Sequence, residues 1–170
     1  MPHEVRDRVI REAFLDAVRS EGVSVQKVRD LANNTQDFET RNLMLALGKG
    51  KREVYSVSGI GLVYVRIKSD PPGWWNIMES VEKHFVFLSE LQIHCYYIFL
   101  LGRKDLHIAD GYIATDINQP PFIRRPTIES GKYSVTERQH LNPNRRLSTI
   151  SRVARTLIQQ GSTPSPLFTS

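Results

Sequence analysis

The chain has 170 residues, 40% of them hydrophobic and 24% charged, a balance that suits one globular domain with a single core. A formal charge of +5 favours an anionic partner such as nucleic acid, and a single cysteine excludes an intramolecular disulfide. No apolar run approaches the roughly 20 residues of a membrane span, the opening MPHEVRDRVIREAF is too charged for a signal peptide, and no Cys/His pair has zinc spacing. The expected setting is the cytoplasm, away from membranes.

Residues 3–20 read as a helix. Val5, Val9, Ile10, Ala13, Phe14, Ala17 and Val18 recur at helical spacing, with Glu4, Asp7, Arg8, Arg11, Glu12 and Arg19 on the other face. Ser24 can cap a short second helix using Val25, Val28 and Leu31, and Thr35 a third over 36–47 with Phe38, Leu43, Met44 and Leu47 inward. Gly48-Lys49-Gly50-Lys51-Arg52 then reads as a solvated turn. It lacks the glycine spacing of a phosphate-binding loop, but Lys49, Lys51 and Arg52 can meet phosphate.

Residues 52–68 read as two strands joined at Gly59-Ile60-Gly61. Val63, Val65 and Ile67 alternate with Tyr64, Arg66 and Lys68, so Arg66 and Lys68 share a face. Ser69-Asp70-Pro71-Pro72-Gly73 ends the strand. A helix is expected over 74–90 with Ile77, Met78, Val81, Phe85 and Leu88 inward, one of Trp74 and Trp75 in the core and the other a lid or anchor.

The run Ile93–Leu101 reads as a central strand buried on both faces, with Cys95 an inert member of it. Residues 106–117 give a strand kinked at glycine, with a hairpin at Asp110-Gly111 as the alternative; Asp110 reads as turn chemistry, and His84 and His94 as structural. Neither His107 nor Asp110 has an obvious partner. A proline-rich loop over 118–131 carries Arg124-Arg125, and Lys132–Thr136 is an expected edge strand. The last helix, 145–160, turns Leu147, Ile150, Val153, Ala154, Leu157 and Ile158 inward. Arg145-Arg146 at its start oppose the helix dipole, which favours an external anion. The tail GSTPSPLFTS reads as disordered, leaving residues 1–160 as one α+β domain with a mixed central sheet flanked by helices.

The order helix, hairpin ending in lysine, helix, strand, strand, helix over residues 36–117 resembles the PD-(D/E)XK nuclease superfamily, which includes type II restriction enzymes, homing endonucleases and Holliday junction resolvases. The resemblance implies a restriction-endonuclease-like fold, a Mg²⁺-dependent endonuclease activity, DNA as partner and a homodimer. In that family an acid on one strand and a Glu-x-Lys or Asp-x-Lys on the next hold Mg²⁺ through carboxylate oxygens. Lys68 matches the lysine. Arg66 stands where the second acid belongs, and Ser56 or Ser58 where the first does.

Three explanations stay open. The acids have moved, to Asp70 and Glu79 as metal ligands, with Glu79 and Glu82 acting beside Lys68, or upstream to Glu39 or Glu53. Alternatively the domain is catalytically inert and Arg66 and Lys68 grip phosphate directly, joined by Lys49, Lys51, Arg52, Arg124, Arg125, Arg145 and Arg146. Or Lys68 is an ordinary strand-end lysine, and the chain is a non-enzymatic oligomerisation or protein-interaction module working through Trp74, Trp75 and the hairpin. Mg²⁺ is expected only if the domain is catalytic.

Overall fold

The computed structural model describes residues 2–49, 53–103 and 109–161. In chain order these form α1 (His3–Ser20), β1 (Val25–Lys27), α2 (Val28–Ala32), α3 (Phe38–Leu47), β2 (Val54–Val57), β3 (Gly61–Lys68), β4 (Trp74–Met78), α4 (Glu79–Glu90), β5 (Cys95–Gly102), β6 (Ala109–Ala114), β7 (Thr127–Glu129), β8 (Lys132–Thr136), α5 (Glu137–His140) and α6 (Ile150–Gly161), with a 3-10 turn at Pro143–Arg145. The class is mixed α+β. A five-stranded sheet runs β1-β2-β3-β5-β6, antiparallel except where β3 and β5 lie parallel, and a second antiparallel sheet runs β4-β8-β7.

The central strand is β5, whose eight residues are all buried. Alternation divides them between two cores. Tyr96, Ile98 and Leu100 pack with Ile10, Phe14 and Val18 of α1 and Val153, Ala154 and Leu157 of α6. Tyr97, Phe99 and Leu101 pack with Val81 and Phe85 of α4 and with Trp75, Tyr133 and Val135 of the second sheet. Each such side chain contributes about 1.5–3 kcal/mol by leaving water, which is why an apolar run this short fixes the centre of the fold. Burial pushes the Cys95 thiol up to about 12. A thiol reagent at mildly alkaline pH should therefore leave the native protein unmodified and react only when urea is added, as mass spectrometry would show.

Several elements differ from the sequence expectation. Residues Trp74–Met78 form a strand rather than the first turns of a helix, because Trp75 and Ile77 alternate inward while the backbone pairs with β8; helix α4 starts at Glu79. Trp75 is 2% exposed and its indole N–H donates to the Leu100 carbonyl at 3.0 Å, so it is the core member of the pair, whereas Trp74 is 46% exposed. Segment Val25–Lys27 pairs with β2 as a strand, leaving only Val28–Ala32 helical. Helix α3 is capped by Asp37, which accepts from the Thr40 N–H, and Phe38 points outward at 75% exposure.

Strand β8 lies between β4 and β7 rather than at an edge. It is joined to β7 by Ser130-Gly131, both at positive φ, inside the stretch expected to be loop; two left-handed residues suit the twist of a tight hairpin. At the C-terminal end Pro143–Arg145 form a 3-10 turn, and the last helix starts later than the expected 145. Helix α6 begins at Ile150, after Thr149, whose side chain accepts from the Arg152 N–H. Arg145 and Arg146 consequently lie before the helix, and the dipole argument made for them lapses.

Asp110-Gly111 is no turn. Both residues lie within β6, and the expected single strand is present over Ala109–Ala114; residues 106–108 and His107 fall outside the described residues, as does the tail beyond Gly161. Glycine is needed at 111 because a Cβ there would stand 2.2 Å from the Phe99 carbonyl oxygen. On its outer side Gly111 exchanges two backbone hydrogen bonds with Leu147, at 3.0 and 2.8 Å, which fixes the segment leading into α6 against the sheet.

Candidate nucleic-acid interface

The hairpin register decides what surrounds Lys68. Strand β2 pairs with β3 only from Val57↔Gly61 to Val54↔Tyr64, and the Val65 N–H then donates to the Glu53 carbonyl at 2.9 Å. Among the described residues, Arg66, Ile67 and Lys68 therefore have no strand partner on this side. On the other side they pair with Phe99, Leu100 and Leu101. A cleft of about 510 Å³ lies between this part of β3 and α1, which contributes Glu4, Asp7 and Arg11. Lys27, Glu53 and Arg66 complete its charged lining.

Arg66 lies with its guanidinium carbon 5.2 Å from the Tyr64 ring centroid, within the range of a cation–π contact. Its Nε is buried and has no hydrogen-bond partner among the described residues. Glu53 accepts from the Tyr55 hydroxyl and faces Arg11 at 3.4 Å. Burial and the neighbouring carboxylate push the Tyr55 phenol well above its ordinary range.

Asp7 is an acid on which the Lys68 charge acts. Burial raises its carboxyl above the usual carboxylate range, and it is opposed by a hydrogen bond from Ser69 and by the charges of His3, Arg11 and Lys68. One Asp7 oxygen, Oδ1, is buried and has no hydrogen-bond partner among the described residues. Because the folded state holds this proton more tightly than the unfolded chain, Asp7 costs no stability below the ordinary carboxylate pKa. The cost appears as pH rises through the interval up to the raised value and stays at neutral pH. Asp7→Asn should accordingly raise the unfolding midpoint at neutral pH, with the gain vanishing in acid, as thermal melts across a pH series would show.

Among the described residues, no acid forms an ion pair with Lys68. Both carboxylate oxygens of Asp70 accept from one Arg6 nitrogen, at 2.6 and 2.7 Å, and His3 stands 3.5 Å away. Glu79 pairs with Lys83 at 2.8 Å. Glu82 lines a different cleft with Tyr97 and Asp116, its carboxyl raised by burial and drawn back by Arg125. Tyr97 pairs with Tyr64 and Leu101 with Lys68, so Glu82 lies toward the opposite end of the sheet, roughly 13 Å along the strands. Glu39 is exposed in the first turn of α3. Ser56 faces Leu62, six residues before Lys68 and roughly 20 Å away along the strand. The register thus makes Glu53, not Ser56 or Ser58, the hairpin acid beside the end of β3.

Among the described residues, no group of three His, Cys, Asp or Glu side chains could hold a metal ion. Mg²⁺ demands several oxygen ligands in near-octahedral order. The acids around Lys68 are spread apart, and Asp70 and Glu53 are already taken up by Arg6, Arg11 and Tyr55. As they stand, these side chains do not make a magnesium site.

The basic residues divide among separate places. Lys49 is exposed just after α3, while Lys51 and Arg52 lie outside the described residues. Arg124 and Arg125 are exposed on the proline loop, where Arg125 donates to Asn118 at 3.0 Å. Arg145 and Arg146 sit at the β6 edge of the sheet, two strands from β3.

Sequence reasoning missed Asp7 and Arg11. The available signal was their spacing with Glu4, since 4, 7 and 11 run as a stripe beside the apolar stripe of α1 rather than opposite it. It also missed a polar network behind the site. Asp110 accepts from Arg103 at 2.8 and 2.9 Å, Arg103 reaches Glu137 at 3.4 Å, and the Tyr112 hydroxyl donates to Glu137 at 2.7 Å. No family model matches the chain, and no curated protein matches it.

Proposed function

We propose that the chain is a nucleic-acid-binding protein, with DNA favoured, built on a nuclease-like core that grips the phosphate backbone without cutting it. The observation that carries this reading is the placement of Arg66 and Lys68 on one face of β3, beyond its register with β2 among the described residues, with Arg66 lining a charged cleft. In support of the resemblance to PD-(D/E)XK nucleases, helix α3 is followed by the antiparallel β2-β3 hairpin, by helix α4 and by β5 parallel to β3, with β4 of the second sheet standing between β3 and α4. Gripping rather than cutting follows from the acids, which are held by Arg6, Arg11, Tyr55 and Lys83 instead of being gathered. Cations on one strand face are the usual means of neutralising phosphates.

Fluorescence anisotropy with a labelled duplex across a salt series tests this. Affinity should fall steeply with salt, and the double variant Arg66→Ala/Lys68→Ala should lower the magnitude of the log–log slope by about 2, one for each lost phosphate contact. A plasmid incubated with Mg²⁺ or Mn²⁺ should stay supercoiled. Salt-independent binding, or binding indifferent to the double variant, would sink the proposal; nicking abolished by Lys68→Ala would replace it with an enzyme.

A second reading, self-association or protein binding, is favoured by the exposed apolar residues Val86, Phe87 and Leu91 at the end of α4. Light scattering over a concentration series separates the two, since a dimer formed through this face should dissociate on Phe87→Glu without loss of DNA binding.

A further inference from the structure

A second cleft, of about 370 Å³, lies at the other edge of the five-stranded sheet, between β6, the Pro120-Pro121 segment and α6. Arg145, Arg146 and Arg152 line it, and among the described residues no Asp or Glu does. Among the described residues, neither Arg145 nor Arg152 has an ion-pair partner. Arg146 stands 3.8 Å from Asp110, an acid already held in a bidentate pair by Arg103. Three guanidinium groups around one concavity raise the local positive potential, which favours an anion there.

The rest of the lining narrows the kind of anion. Ile113, Leu147, Pro120 and Pro121 form an apolar wall, and Thr156 and Gln160 follow Arg152 along one face of α6 with hydroxyl and amide groups. The volume falls at the lower end of the range for small-molecule sites, about 300–1,000 Å³. A guanidinium fork matches phosphate oxygens in pairs, and a phosphomonoester carries about −1.5 to −2 charges near neutral pH, enough to engage more than one arginine. Apolar and cationic lining in one cleft suits a flat ring joined to a phosphate.

We propose that this cleft binds a phosphomonoester of single-nucleotide size, with the phosphate on Arg145 and Arg152 and the ring against Pro120, Pro121 and Leu147. The site is separate from the Arg66–Lys68 face and does not rest on the duplex-binding reading. A free nucleotide and the phosphorylated end of a strand offer the same chemistry.

Isothermal titration of the full chain with a 5′-mononucleotide, the matching nucleoside and inorganic phosphate tests the assignment. The mononucleotide should bind more tightly than inorganic phosphate, and the nucleoside should not bind. Arg145→Ala/Arg152→Ala should weaken the mononucleotide about ten-fold or more, the worth of a charge-assisted hydrogen bond. Both arginines are exposed, so the variant should keep its melting temperature, and Arg145→Lys/Arg152→Lys should restore part of the affinity. Short single strands with and without a 5′-phosphate identify the source: a preference for the phosphorylated strand over the mononucleotide means a strand end, and the reverse a free nucleotide. Absence of mononucleotide binding, equal binding of inorganic phosphate, or an undiminished affinity in a folded alanine variant would overturn the proposal. Loss of duplex binding in Arg66→Ala/Lys68→Ala, with the mononucleotide still bound, would show the two sites to be independent.

Discussion

Replacing Asp110 by alanine should cost about 3–5 kcal/mol of stability, the penalty for breaking a buried ion pair and leaving its partner behind. Asp110 is 9% exposed at its side chain and Arg103 26%. The arginine holds both Asp110 oxygens and also reaches Glu137, which the Tyr112 hydroxyl approaches in turn. Without Asp110 the guanidinium stays half-buried, with only a 3.4 Å contact to Glu137. Urea denaturation of Asp110→Ala checks the loss. The double replacement Asp110→Leu/Arg103→Met should recover much of it, because removing both charges removes the desolvation cost as well. If the single variant is as stable as the parent, the network contributes nothing.

Phe99→Ala should cost a similar amount, about 3–5 kcal/mol, through lost burial and the cavity left behind. Phe99 is fully buried in β5, at the place where the two sheets and the proline loop meet. Its ring centroid lies 5.4 Å from that of Trp75 and 6.0 Å from that of Phe122, the latter edge-on. These contacts join β4 and the Phe122 segment to the central sheet, so the loss should appear in chemical denaturation and as weakened near-ultraviolet circular dichroism from Trp75. Phe99→Leu, which keeps most of the volume, should cost clearly less.

The parts of the fold legible in the sequence were those in which one element's own pattern sufficed. Helix α1 carries its stripe over five turns, and Cys95–Gly102 is apolar throughout because both its faces are covered. The β2–β3 hairpin announced itself through Gly59 and Gly61 flanked by alternating residues. Misreadings arose where a partner distant in sequence decides the outcome. Trp74–Met78 fits a helical stripe and a pleated strand about equally, and pairing with Lys132–Thr136 settles it. Arg145 and Arg146 look like the first turn of a helix until Leu147 is seen bonded to Gly111.

The site was legible only in its cations. Arg66 and Lys68 share a face because strands alternate, which periodicity reveals. That Asp7 lies within reach of Lys68 depends on how α1 crosses the sheet, and no local pattern contains that. Asp110 was misjudged for the opposite reason: Asp-Gly is strong turn chemistry, and here the glycine serves close strand packing while the aspartate serves an ion pair.

The doubled backbone bond between Gly111 and Leu147 bears on how the arginine cleft would behave. Stitched to the sheet at that point, the segment carrying Arg145 and Arg146 has little freedom left to surrender when a ligand arrives, so capture there should draw on a preformed geometry and pay little ordering entropy. The amides of Gly111 and Leu147 should share one slow rate of deuterium uptake, set by opening of the sheet edge rather than by fluctuation of a loop.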